Sequence, residues 1–233
     1  MGVVIIVAAL VWAFAPGVGW DLLGLRSRLG WPPQRSGEAL SSLPDGEAAR
    51  QLRALTVRDH DVESETPDYD RGEFGQRWAD TDHNGCDTRN DILARDLARP
   101  TFKEGTRGCV VLSGTLAEPY TGKTIEFRRG EKTSSLVQID HVVALADAWR
   151  SGAWQWEAGR RQEFANDPDN LLAVDGDANE DKSASAADRW LPSNAAFRCD
   201  YVKRQISVKS RYGLSVTRSE QDAMAQQLSA CPG

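Results

Sequence analysis

Apolar residues recur at two different periods along this chain, and the switch between them predicts its elements. Ala48, Leu52 and Leu55 fall at helical spacing within residues 46–57, and Ile92, Leu93 and Leu97 do so within 90–97. Residues 109–116 instead alternate as a strand does, Gly122 and Lys123 mark a turn, and 124–127 and 136–139 read as further strands. Helices are predicted over 145–149 and 156–164, a short strand over 171–174, and helices again over 179–187, 197–209 and 219–228. Residues 60–70 are acidic and read as a loop, with Phe74 and Trp78 beyond it as apolar anchors. No internal repeat interrupts this order. Strands in the middle and helices towards both ends define an α+β fold.

The first residues follow a different pattern. Residues 2–20 carry no charge, and 3–15 are apolar throughout, which predicts a signal peptide or a membrane anchor over 1–20. Residues 21–47, rich in Gly, Pro, Ser and Arg, read as a linker, leaving 48–233 as the folded domain. Arg26, Arg28 and Arg35 follow the apolar run and none precedes it, which taken alone would keep the domain cytoplasmic. The cysteines point outwards. Cys86, Cys109, Cys199 and Cys231 contain no C-x-x-C pair, so a structural zinc site is disfavoured and two disulfides in an oxidising compartment are expected. Of the three pairings open to four cysteines, Cys86–Cys109 and Cys199–Cys231 close local loops and are favoured. The domain is therefore read as secreted, or tethered to the outer face of the cytoplasmic membrane if the N-terminal segment is retained.

Charge changes the picture in detail rather than in bulk. The net charge of −6 argues against a wholly basic nucleic-acid binder, but the sign is segregated. Residues 57–96 hold twelve acids against five bases, and residues 182–218 hold eight bases against two acids. A local basic segment can contact phosphates while the whole chain stays acidic, although a solvated helix face has the same composition.

The candidate chemistry sits at Asp140-His141, followed at separations of 29 and 38 residues by Asn170 and Asn179, with Lys182 one helical turn further on. Phosphodiester hydrolysis needs a base for the attacking water and a hard cation beside the phosphate oxygens. His141 suits the first role. Asp140 and Asn179 could supply metal oxygens. Asn170 could tie down the loop bearing His141, and Lys182, on the Asn179 face of the helix, could reach a phosphate. Adjacent strand residues face opposite ways, so Asp140 and His141 share a site only if the chain bends there.

These residues carry a resemblance. Ile139-Asp140-His141-Val142-Val143, then Asp169-Asn170-Leu171-Leu172-Ala173-Val174, then Asn179-x-x-Lys182-Ser183 is similar to the ββα-metal, or HNH, nuclease motif in its His-Asn-Asn form. The blocks Asn84-Gly85-Cys86-Asp87-Thr88-Arg89-Asn90, Leu112-Ser113-Gly114-Thr115, Pro119-Tyr120-Thr121-Gly122-Lys123-Thr124-Ile125 and Trp190-Leu191-Pro192 resemble secreted bacterial HNH proteins. Those proteins share their catalytic part with the C-terminal domain of GmrSD-type restriction endonucleases. The resemblance covers about residues 74–231 and implies a ββα core within about 136–190. It implies His141 as general base, Asp140 and Asn179 as ligands of one divalent cation (Mg²⁺, or Mn²⁺), Asn170 as the central polar residue and Lys182 as a phosphate contact. A neutral amide ligand favours such hard ions over zinc. Arg128, Arg129, Arg189, Lys203 and Arg204 are further candidates for contact with DNA or RNA, and Asp87, Arg89 and Asn90 for bracing the site or positioning the strand.

Asp80-Thr81-Asp82-His83-Asn84-Gly85 matches the first half of an EF-hand loop. Asp91 stands where the bidentate Glu belongs, so an Asx-rich turn is the expected state. The overall expectation is a DNA-cutting endonuclease of little sequence specificity, since no recognition module is visible, with no obligate protein partner evident. A non-catalytic protein binding nucleic acid or an envelope polymer, and a restriction or toxin-type effector acting with a partner, are the alternatives.

Overall fold

The computed structural model of the protein describes residues 38–59 and 65–231. The apolar N-terminal segment and part of the acidic loop lie outside them. Among the described residues no helix is long and apolar enough to cross a membrane.

Two short helices open the domain, α1 (Glu38–Ser41) and α2 (Glu47–Ala54). Leu43 between them is buried with Leu52, Val202 and Leu228, so residues 39–47, expected to be linker, belong to the compact unit. Helix α3 (Thr88–Asp96) starts at Asp87, whose carboxylate accepts from the Asn90 backbone N–H as an N-cap. A three-stranded antiparallel sheet follows, β1 (Leu97–Phe102), β2 (Val111–Ala117) and β3 (Thr124–Arg128), in that spatial order. Strand β1 breaks the sequence pattern. It lies at an edge, only Leu97 is buried, it contains Pro100, and its register shifts between Ala98 and Thr101. An edge strand with a bulge and a proline carries no clean alternation.

The second sheet positions the site. Strands β4 (Val137–His141) and β5 (Leu171–Asp175) pair antiparallel, from Val137 opposite Asp175 to His141 opposite Leu171. Helices α4 (Leu145–Arg150) and α5 (Ala158–Asn166) occupy the connection between them. Helix α6 (Gly176–Lys182) follows β5 without a loop, because the Asp175 side chain caps it by accepting from Ala178 N–H. Gly176 is required there: a Cβ would overlap the Ser135 carbonyl oxygen, so only glycine lets α6 start against the turn that precedes β4. The helix ends at Lys182, shorter than expected, since Ser183 takes a positive φ of 49°. The result is a β-β-α unit with two helices inserted between its strands.

Helices α7 (Arg198–Tyr212) and α8 (Arg218–Ser229) close the domain, α8 behind a Thr217/Glu220 capping box. Both expected disulfides are present, Cys86–Cys109 leading into α3 and Cys199–Cys231 tying α7 to the end of α8. Buried Lys209 on α7 donates to Asp147 of α4 at 2.8 Å and to Glu220 of α8 at 2.7 Å. The ion pairs thus anchor the segment just after β4 to the C-terminal helices.

Candidate active site

His141 ends β4, and the chain bends at once. Asn170 enforces the bend. Its Oδ1 accepts from Val143 N–H at 2.8 Å, its Nδ2 donates to Val143 O at 3.2 Å, and its own carbonyl accepts from Val142 N–H at 2.8 Å. The histidine ring is then held by two contacts. Nε2 lies 2.8 Å from the Ala165 carbonyl of α5, and Trp78 stacks nearly parallel at 9° and 6.0 Å. A carbonyl only accepts, so Nε2 must carry the proton and Nδ1 must present its lone pair. Burial pushes the His141 pKa down to about 3; the Ala165 hydrogen bond opposes this, and the Arg71, Lys182 and Arg77 charges add to it. The ring is neutral at physiological pH.

Asp140 and Asn179 stand on two adjacent rungs between β4 and α6. Gln138 and Asp140, two apart on β4, share a face; Asn179 and Lys182, three apart, share a face of α6. On one rung Asn179 Nδ2 donates to Gln138 Oε1 at 2.7 Å, which leaves the Asn179 Oδ1 acceptor spare. On the other, Lys182 Nζ donates to Asp140 Oδ1 at 2.9 Å and to the His141 carbonyl at 2.8 Å. Tyr120, buried beneath, donates its hydroxyl to Asp140 Oδ2 at 2.5 Å. Burial raises the Asp140 pKa, against the opposing pull of Lys182 and Tyr120. Lys182 is fully buried, so the expected phosphate contact is replaced by an internal ion pair that fixes Asp140 and the His141 backbone.

A cavity of about 470 Å³ brings His141, Asp140, Gln138 and Asn179 together, and its other wall holds Arg71, Arg77 and Arg89. Each Asp140 oxygen accepts one hydrogen bond and keeps a further lone pair. Asp140 and Asn179 therefore present hard oxygen donors only. Among the described residues no three His, Cys, Asp or Glu side chains are grouped to hold a metal, which leaves this mixed carboxylate–amide pair.

The other expected contacts lie elsewhere. Arg128, Arg129, Arg189, Lys203 and Arg204 do not line this cavity. Arg129 is used internally, donating to Val111 O at 2.6 Å and Asn90 Oδ1 at 2.6 Å. Lys203 borders a separate cavity with Leu43 and Glu47. Asp87 and Asn90 brace: Asn90 Nδ2 donates to Asp87 Oδ2 at 2.7 Å, and Asn90 Oδ1 accepts from Val111 N–H at 3.0 Å. Arg89 both braces, through Val137 O at 3.0 Å, and faces the cavity. In the Asp80–Asn84 turn, Asp80 and Asp82 accept from the Asn84 backbone N–H at 3.1 and 3.2 Å, as an Asx-rich turn does. Gln138 and Tyr120 were not singled out in advance. Gln138 had a usable signal, because it shares the Asp140 face of β4; Tyr120 had one in the family-like block of residues 119–125, and Arg71 and Arg77 had none.

The site thus centres on a carbonyl-anchored neutral histidine that ends the first strand of a β-β-α unit. The profile of the GmrSD restriction endonuclease C-terminal domain matches residues 87–227. The chain belongs to that family. A protein of Arthroderma benhamiae (strain ATCC MYA-4681 / CBS 112371), described as an uncharacterized secreted protein, is 36% identical over 193 residues, 82% of this chain and 88% of its own length. That relative is fungal, where the sequence resemblance pointed to bacterial proteins. No solved structure matches the chain.

Proposed function

We propose that the protein is an extracellular metal-dependent endonuclease of the HNH type that hydrolyses phosphodiester bonds of DNA, and of RNA, with little sequence specificity. The observation that carries this reading is the His141 ring, kept neutral by burial and oriented by the Ala165 carbonyl with Nδ1 as its free base, inside a cavity walled by three arginines. Nδ1 takes the proton of the attacking water. Burial is the main cause of the low His141 pKa, and a bound phosphate raises it by offsetting the Arg71 and Arg77 charges that add to the depression. Asn170 keeps the backbone at Val142–Val143 fixed, so the ring does not have to be reoriented for the reaction. The arginines offset charge on the phosphate.

Asp140 and Asn179 fit one hard divalent cation, Mg²⁺ or Mn²⁺, since both offer oxygen with lone pairs to spare and the other positions can go to phosphate and water. Such an ion, when bound, stabilises charge on the phosphate and leaving oxygens. Lys182 and Tyr120 hold the Asp140 carboxylate in place for it. The test is nicking of plasmid DNA by the purified protein in Mg²⁺. Cleavage abolished by EDTA and restored by excess Mg²⁺ is expected; cleavage unaffected by EDTA would remove the cation, and absence of cleavage across divalent ions would remove the activity.

A further inference from the structure

The family match begins at residue 87, yet one wall of the cavity comes from residues 69–78, upstream of it. Tyr69, Arg71 and Arg77 line the cavity, and Arg71 and Arg77 also border, with His141, a small adjoining pocket of about 20 Å³. This segment is built in place. Asp70 Oδ1 accepts from Gly72 N–H at 2.7 Å, Phe74 is buried against Trp149 and Phe164, and Arg161 donates to Glu73 O at 2.8 Å. Trp78 holds a positive φ of 57° while its ring lies on His141, and the Arg77 guanidinium sits 5.4 Å from the centre of that ring. Among the described residues neither Arg71 nor Arg77 forms an ion pair, and both are exposed on the cavity side. Tyr69 is 38% exposed.

We propose that residues 69–78 form the strand-binding wall of the site, with Arg71 and Arg77 gripping backbone phosphates and Tyr69 stacking on a base, so that the preferred substrate is a single unpaired strand. The proposal rests on the nuclease reading above and adds the form of nucleic acid to it. An exposed aromatic interleaved with exposed arginines, one of them hydrogen-bonded to the tyrosine itself, is the arrangement that tracks a single strand, because every base has a face to stack and every nucleotide a phosphate to pair. The cavity volume falls in the range that encloses one small molecule, about 300–1,000 Å³. It suits one unstacked nucleotide. His141 is only 7% exposed, so a phosphate must enter the recess to meet it, and a flexible strand does so without breaking pairs. Among the described residues Asp140 is the only carboxylate on the cavity wall, and it is already paired with Lys182, so these residues present a net cation field to a polyanion.

The experiment is fluorescence anisotropy of a labelled single-stranded oligonucleotide and of its duplex, with EDTA present to prevent turnover, across a salt series. The wild type should bind the single strand at least tenfold more tightly than the duplex. Arg71→Gln/Arg77→Gln should flatten the slope of log affinity against log salt by about 1.4, since each phosphate contact on a single strand contributes about 0.7. Arg71→Lys/Arg77→Lys should keep most of the slope, Tyr69→Leu should weaken single-strand binding while leaving the slope intact, and Arg50→Gln, exposed on α2, should change neither. Equal wild-type affinity for duplex and single strand, or an unchanged slope in the folded double variant, overturns the proposal even where Mg²⁺-dependent cleavage persists. Failure of the wild type both to bind and to cut would overturn the nuclease reading with it.

Discussion

At the scale of single residues the site is controlled by what each polar atom has already committed to. His141 Nε2 is committed to Ala165, which fixes the tautomer; Asn179 Nδ2 is committed to Gln138, which frees the oxygen. Lys182 is committed to Asp140. Lys182→Met should therefore act as the loss of a buried partner, destabilising the protein by about 3–5 kcal/mol in urea unfolding. A loss below about 1 kcal/mol, with a shallower salt dependence of nucleic-acid binding, would return Lys182 to the surface role expected from its helix position. His141 has a pH signature of its own. Its folded pKa of about 3 lies below the ordinary value near 6.5, so as pH falls below 6.5 the unfolded chain takes up a proton that the folded one refuses. Between pH 7.5 and 5.5 the wild type should lose about 1 kcal/mol more stability than His141→Gln. Equal losses would mean the ring is more solvated than its burial implies. Asp140 and His141 stood out in the chain because they are adjacent in it. Lys182 was misplaced since spacing puts it on the right helix face but says nothing of depth.

At the scale of elements, β4, β5 and α6 do the positioning. The strands were expected close to where they occur, since short β-prone segments flanked by turn residues need little else. The start of α6 at Gly176 was not, because it depends on a contact with Ser135, 41 residues away. Gly176→Ala should force α6 off the Ser135 turn, cost about 1–3 kcal/mol by overpacking, and reduce cleavage by displacing Asn179 and Lys182 together. Thermal unfolding beside a rate measurement checks both effects; an alanine variant as stable and active as the wild type would show that α6 has room. Strand β1 shows the opposite limit, where a bulged edge strand with proline left no period to read.

At the scale of the whole molecule, the site is assembled from distant segments held by covalent and ionic ties. Arg71 and Arg77 come from a stretch in which only Phe74 and Trp78 were expected to matter, as apolar anchors, and pairing them with His141 depends on those two rings packing across the domain. No local pattern encodes that. The Cys199–Cys231 bridge ties α7, which carries Lys209, to the chain end. Replacing both cysteines by serine should lower stability by about 3–4 kcal/mol through the entropy of the unfolded chain, read as a fall in the urea midpoint. An unchanged midpoint would make the bridge incidental to the fold. The central claim is that His141 is the base of a phosphodiester hydrolase. The most direct test compares wild type and His141→Ala for Mg²⁺-dependent cleavage of an oligonucleotide, with circular dichroism to confirm folding. The account predicts a rate lower by about 10²–10⁴-fold in a folded variant that still binds the strand; an unchanged rate would contradict it.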